Sequence, residues 1–144
     1  MRTLIAFSTK SGASRECAEI LASKIDESVM YDLNGGTPNI DDYDVVIIGT
    51  GIRIGGAYKP FKKFIKENEN ALLKKKIAFF TSNLLTKTFP EIVEKNIPLS
   101  LQENAICMRT FGGRPLIGGK KDQKWLLRDE VDAFVQEINN ASQI

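Results

Sequence analysis

An α/β fold, a three-layer αβα sandwich around one five-stranded parallel sheet, is what this sequence predicts. Three observations carry it. Five short apolar segments recur along the 144 residues, with stretches of helical periodicity between them. Strands that alternate with helices are the pattern of βαβ units, which join parallel strands. The third segment, Val45-Val46-Ile47-Ile48, is apolar at every position, as expected of a central strand covered on both faces. Right-handed crossovers make 2-1-3-4-5 the simplest strand order.

The expected strands, in order, are Thr3–Phe7, Val29–Asp32, Val45–Gly49, Ile77–Thr81 and Ala105–Thr110. Ala18, Leu21, Ala22 and Ile25 mark the buried face of the first helix, and Phe61, Phe64 and Ile65 that of the second. Ile92 and Val93 define a short third helix, with Thr88 as candidate cap and Pro98 beyond its end. Leu127, Val131, Phe134, Val135 and Ile138 define the C-terminal helix. The chain shows no internal repeat or low-complexity segment, and its length suits a single domain spanning 1–144.

Composition removes several function classes. The sequence contains no histidine, which excludes Ser-His-Asp and Cys-His catalysis and every histidine metal site. Its two cysteines, Cys17 and Cys107, form no CxxC pair and read as free buried thiols rather than metal ligands. No metal site is expected, and difficult chemistry would need a borrowed cofactor. No apolar run reaches membrane-spanning length, and Met1-Arg2-Thr3 leads into no cleavage-site pattern, so a cytoplasmic location is expected.

In an open parallel sheet, ligands bind beyond the carboxyl ends of the strands, where the strand order reverses. Three loops meet there. The first is Thr9-Lys10-Ser11-Gly12-Ala13-Ser14. It opens a helix, whose first amides lack intrahelical partners and carry partial positive charge. With three hydroxyls and a glycine it reads as a phosphate cradle; a polar turn with Ser14 as helix cap is the plainer reading. No Lys-Ser or Lys-Thr pair follows Gly12 at the nucleotide P-loop offset, and the three-glycine dinucleotide pattern is missing. The second loop runs Thr50-Gly51-Ile52-Arg53-Ile54-Gly55-Gly56-Ala57-Tyr58, and its glycines permit backbone approach to a flat ring. The third runs Ser82-Asn83-Leu84-Leu85-Thr86-Lys87.

Together these loops resemble the flavodoxin superfamily and, more narrowly, the menaquinone-dependent protoporphyrinogen oxidase family. Phe7-Ser8-Thr9-Lys10-Ser11-Gly12 is similar to that family's phosphate loop, and Gly49-Thr50-Gly51-Ile52-Arg53-Ile54-Gly55 to its second loop. Ser82-Asn83-Leu84 is similar to its third, and Phe111-Gly112-Gly113-Arg114 to the Gly-Gly-Arg turn after its fifth strand. Two departures stand out: Ile54 replaces a usual aromatic, and a long insertion before the last helix is absent or reduced to about 115–121. The resemblance implies a flavodoxin-like fold and a bound flavin mononucleotide (FMN). Its site would comprise Thr9, Lys10, Ser11, Gly12, Ala13, Ser14, Thr50, Gly51, Ile52, Arg53, Ile54, Gly55, Ser82, Asn83 and Leu84. Asn83 both donates and accepts, as the pyrimidine edge of a flavin requires. Leu84 and Leu85 either cover the ring or pack beneath it.

The resemblance implies electron transfer through the flavin, to a redox partner protein or a quinone. A protoporphyrinogen oxidase-type enzyme is one alternative, and a flavodoxin-fold binding module without flavin is another. No acid–base residue is assigned. The net charge is +2, and the three loops carry Lys10 and Arg53 but no carboxylate. One positive charge about 6 Å from the ring, at an effective dielectric of about 20, favours the reduced flavin by roughly 3 kcal/mol, on the order of 100 mV. Lys59, Lys62, Lys63 and Lys66 follow one helical face, read either as a solvated face or as a docking stripe. A docking stripe would suit an acidic partner or the anionic inner face of a membrane. Nucleic acid is not an expected partner, because the stripe lacks interleaved aromatics.

Overall fold

Phe7, Gly49 and Phe80 lie side by side on three neighbouring parallel strands at the centre of the molecule. The computed structural model describes residues 1–114 and 123–142. Its strands are β1 (Thr3–Ser8), β2 (Ser28–Asp32), β3 (Val45–Arg53), β4 (Gly56–Ala57), β5 (Lys76–Ser82) and β6 (Ala105–Thr110). Its helices are α1 (Ala13–Lys24), α2 (Lys59–Leu72), α3 (Phe89–Asn96), α4 (Leu99–Asn104) and α5 (Arg128–Ser142). The parallel strands run in the order β2-β1-β3-β5-β6, which is the expected 2-1-3-4-5 path, with β4 attached to β3 as an extra antiparallel strand.

Side-chain alternation along the strands builds two cores. Leu4, Ala6, Val46, Ile48, Ile77 and Phe79 face one way, against Phe61, Phe64 and Ile65 of α2 and Val93 and Leu101 of α3 and α4. Ile5, Phe7, Val45, Ile47, Ala78 and Phe80 face the other way, against Cys17, Ala18 and Leu21 of α1 and Val131, Phe134 and Ile138 of α5. The unbroken apolar run of β3 therefore feeds both layers alternately, which is why it shows no polar–apolar period. Phe80 stacks on Phe111 at 5.2 Å, and Phe134 meets Phe111 edge-on at 5.2 Å. Gly49 makes room for this cluster, since a Cβ there would stand 2.0 Å from the Phe80 ring.

Three local expectations are corrected, and one helix is added. β3 continues to Arg53 instead of ending at Gly49, so most of the supposed second loop is a β-hairpin. Its two-residue turn, Ile54-Gly55, has φ of 51° and 73°, both left-handed, as a type I′ turn requires. The short third helix stands where it was expected and ends before Pro98, and a further helix, α4, follows it. Pro98 has no N–H with which to continue α3, and its carbonyl instead accepts from Leu101 and Gln102 to start α4. Ser14 does not cap α1: Gly12 holds that place with φ of 93°, and Ser14 lies inside the first turn. Thr88 does stand at the cap position of α3, but its hydroxyl donates to the Leu85 carbonyl at 2.6 Å instead of capping the helix. The expected shortened insertion, 115–121, falls outside the described residues.

Candidate functional site

The carboxyl ends of β1, β3 and β5 stand level, with Ser8 opposite Thr50 and Gly51 opposite Ser82. Between β1 and β3 the strand order reverses, and a cavity of about 570 Å³ opens there. Of the fifteen residues expected to form the site, Thr9, Lys10, Ser11, Ala13, Ser14, Gly51, Ile52, Arg53, Ser82 and Leu84 line it. Tyr58, Gly113 and Arg114 line it as well.

The other five expected residues do not line it. Gly12 makes the left-handed step into α1, and its N–H donates to Thr9 Oγ1 at 2.9 Å. Thr50 Oγ1 accepts from the Tyr58 N–H at 3.2 Å, which closes the hairpin onto its own strand. Ile54 and Gly55 form the hairpin tip, where Ile54 is 93% exposed. Asn83 departs most from expectation. Its side chain turns into the protein, where Oδ1 accepts from Thr81 at 2.7 Å and Thr110 at 2.8 Å. Its Nδ2 donates to the Leu85 carbonyl at 2.8 Å. Through these bonds its side chain organises the loop after β5. Leu84, 59% exposed, borders the cavity, whereas Leu85, 70% exposed, does not.

The first loop is braced from two directions. Asn34, in the turn after β2, donates from Nδ2 to the Thr9 carbonyl at 3.0 Å, and Arg114 donates from Nη1 to the Ser11 carbonyl at 3.0 Å. At the start of α1, Ser14 is 1% exposed and its Oγ has no hydrogen-bond partner; the buried hydroxyls of Ser8 and Ser82 lack partners too. Unpaired buried hydroxyls cost free energy unless something satisfies them. Here two of the three, those of Ser14 and Ser82, belong to residues that border one cavity.

The charges around the opening are positive. Lys10 places its ammonium 4.8 Å from the centre of the Tyr58 ring, across the opening from loop to hairpin. Burial pushes the Tyr58 hydroxyl above its ordinary pKa, and Arg53 partly offsets this. Arg15 pairs with Asp32 at 2.8 Å, and Arg114 pairs with Glu16. Lys59, Lys62, Lys63 and Lys66 are exposed along α2, opposite the buried Phe61, Phe64 and Ile65. Cys17 and Cys107 are buried, and burial pushes both thiols up to about 12, which leaves them protonated and unreactive. Among the described residues no cluster could hold a metal ion, and no helix is long and apolar enough to cross a membrane.

A doubly wound sheet with a cavity at its switch point, bordered by a hydroxyl-rich helix start, defines a class of small-ligand-binding α/β proteins. Within that class the chain belongs to the flavodoxin domain family, which it matches over residues 4–116. It is 36% identical over 92 residues to protoporphyrinogen IX dehydrogenase [quinone] of Escherichia coli strain K12, a match covering 60% of this chain. The chain spans about half the length of the curated relatives it matches, 51% in this case. Its fold is similar to that of oxidised flavodoxin 1 from Bacillus cereus, with a TM-score of 0.67, 17% identity and coverage of 100% of this chain and 99% of that one. It is also similar to a flavoprotein in complex with FMN from Lactobacillus acidophilus, with a TM-score of 0.61, 19% identity and coverage of 76% and 92%.

Proposed function

We propose that this chain is a single FMN-binding redox domain that passes electrons through the flavin to an acceptor, a quinone being the acceptor class its curated relatives suggest. The observation that carries the reading is the partnerless Ser14 hydroxyl, buried in the first turn of α1 beside a cavity at the switch point. FMN is the cofactor the family implies, and the residues present fit it. Thr9, Ser11, Ser14 and the first amides of α1 would hold its phosphate. The strand end Gly51-Ile52-Arg53 and Leu84 would border its ring. Bound there, FMN supplies reversible electron acceptance.

The chain's own part is binding, orientation and electrostatics. Asn34 and Arg114 fix the two carbonyls of the first loop. Lys10 and Arg53, with no carboxylate on the three loops, set a positive field at the opening. No side chain bordering the cavity is placed as a general acid or base. A second reading, oxidation of a protoporphyrinogen-type substrate with a quinone as acceptor, is favoured by the Escherichia coli relative. The exposed lysines of α2 would suit an acidic redox partner or the anionic cytoplasmic face of a membrane.

Titration of the purified protein with FMN, and with FAD in parallel, tests the reading through the visible spectrum. Saturable binding of FMN with shifted flavin bands is expected. A spectrum identical to free FMN throughout would overturn both redox readings and leave a flavodoxin-fold module without flavin.

A further inference from the structure

The last loop of the sheet delivers one side chain to the first. Gly112 turns with φ of 85° where a Cβ would stand 2.3 Å from the Trp125 carbonyl oxygen. Gly113 packs so closely on the loop after β5 that a Cβ would stand 2.4 Å from the Leu84 nitrogen. Only glycines fit at these two places, and they carry the chain to Arg114 at the edge of the cavity. There the guanidinium donates to the Ser11 carbonyl, pairs with Glu16 and lies 5.8 Å from the centre of the Trp125 ring. Its Nε is buried with no partner, as is Glu16 Oε2. Other cations near the loop are turned elsewhere: Lys10 to Tyr58, and Arg15 to Asp32 and the Phe7 ring.

We propose that Arg114 is the phosphate-recognition residue of this site, a guanidinium held beside the first turn of α1 by Glu16 and Ser11 so that the site selects a ligand ending in a phosphate. The proposal rests on the FMN reading and adds to it the group that reads the dianion. A hydroxyl-and-amide cradle alone is neutral, and its selectivity comes from hydrogen bonds and the helix dipole. A guanidinium adds charge-assisted donors with planar geometry suited to phosphate oxygens. Glu16 keeps the half-buried guanidinium paired before a ligand arrives.

Comparing FMN with riboflavin, the same ring without the phosphate, separates recognition from scaffolding. In the full chain, Arg114→Gln is expected to weaken FMN binding by about 10- to 100-fold, the range for a charge-assisted hydrogen bond. Riboflavin affinity is expected to stay within about twofold, so the ratio of the two affinities collapses. Arg114→Lys keeps the charge but not the fork and should restore part of the ratio; it also serves if the glutamine variant fails to fold, which near-ultraviolet circular dichroism would reveal. Equal loss for both ligands, or an unchanged ratio in both variants, would show that Arg114 only braces the loop. A wild-type chain that binds neither flavin overturns the FMN reading itself, an outcome distinct from an unchanged ratio.

Discussion

Asn96, the last residue of α3, grips Gly55 at the tip of the β3–β4 hairpin: its Nδ2 donates to the Gly55 carbonyl at 3.1 Å while its Oδ1 accepts from the Ala57 N–H at 3.1 Å. The same Nδ2 also reaches the Ile92 carbonyl at 2.8 Å within its own helix. One amide thus joins the hairpin beside the cavity to the helix that follows the loop after β5. Asn96→Ala would leave the Ala57 N–H without an acceptor, at a cost of about 1–3 kcal/mol. We expect a lower urea midpoint and loss of hydrogen-exchange protection at Ala57. Unaltered exchange at that amide would show that the hairpin holds without the clip.

Ile54 sits in the left-handed region, where a β-branched side chain is strained, and it is 93% exposed, so little packing offsets the strain. Replacement by asparagine, which suits the first position of a type I′ turn, should stabilise the protein by roughly 0.5–1 kcal/mol. Chemical denaturation measures this directly. A loss of stability would mean that the exposed isoleucine makes contacts in solution that outweigh the strain.

The field at the opening is testable through the flavin. Arg53→Gln removes one exposed positive charge from the cavity border and should lower the midpoint potential of bound FMN. The expected shift is roughly 20–100 mV, the upper end for one charge about 6 Å away and the lower end for a screened, solvent-exposed group. Spectroelectrochemical titration reads the shift. A potential equal to that of the wild type would remove Arg53 from the surroundings of the ring.

The buried cysteines carry a pH signature. Both folded thiols are held up at about 12, against an unfolded value of 9.0. Between those values the native state binds more protons than the unfolded state, so this contribution is fully present below pH 9 and is lost as pH rises toward 12. Unfolding midpoints should fall between pH 8 and pH 10.5, and a cysteine-free variant should show a smaller fall. Thiol reagents at pH 8 should label the protein only after denaturation; rapid labelling of native protein would contradict the burial.

Much of this architecture is legible in the sequence because it rests on local pattern. β6 has the expected limits Ala105–Thr110, and the helix faces fall where the apolar spacing puts them, except that Leu127 precedes α5 and is exposed. The hairpin was hidden because its turn is Ile-Gly, where the usual signal is Asn-Gly or Asp-Gly. The inward turn of the Asn83 side chain is not legible because composition cannot say which way an amide points. Its partner Thr110 is 27 residues away, on the neighbouring strand. Arg114 was visible as part of a Gly-Gly-Arg turn, but its place beside the first loop depends on how tightly two glycines pack, a tertiary property.

The contact between Arg114 and Ser11 joins residues 103 positions apart. A ribosome adds about 5–20 residues per second, so the first loop waits roughly 5–20 seconds after its own synthesis for the residue that braces it. Through that interval the nascent chain already carries its hydroxyl-rich loop but lacks β6 and the turn that follows it. With Arg114 in the proposed role, cofactor capture with full phosphate selectivity is a late event in the life of each molecule.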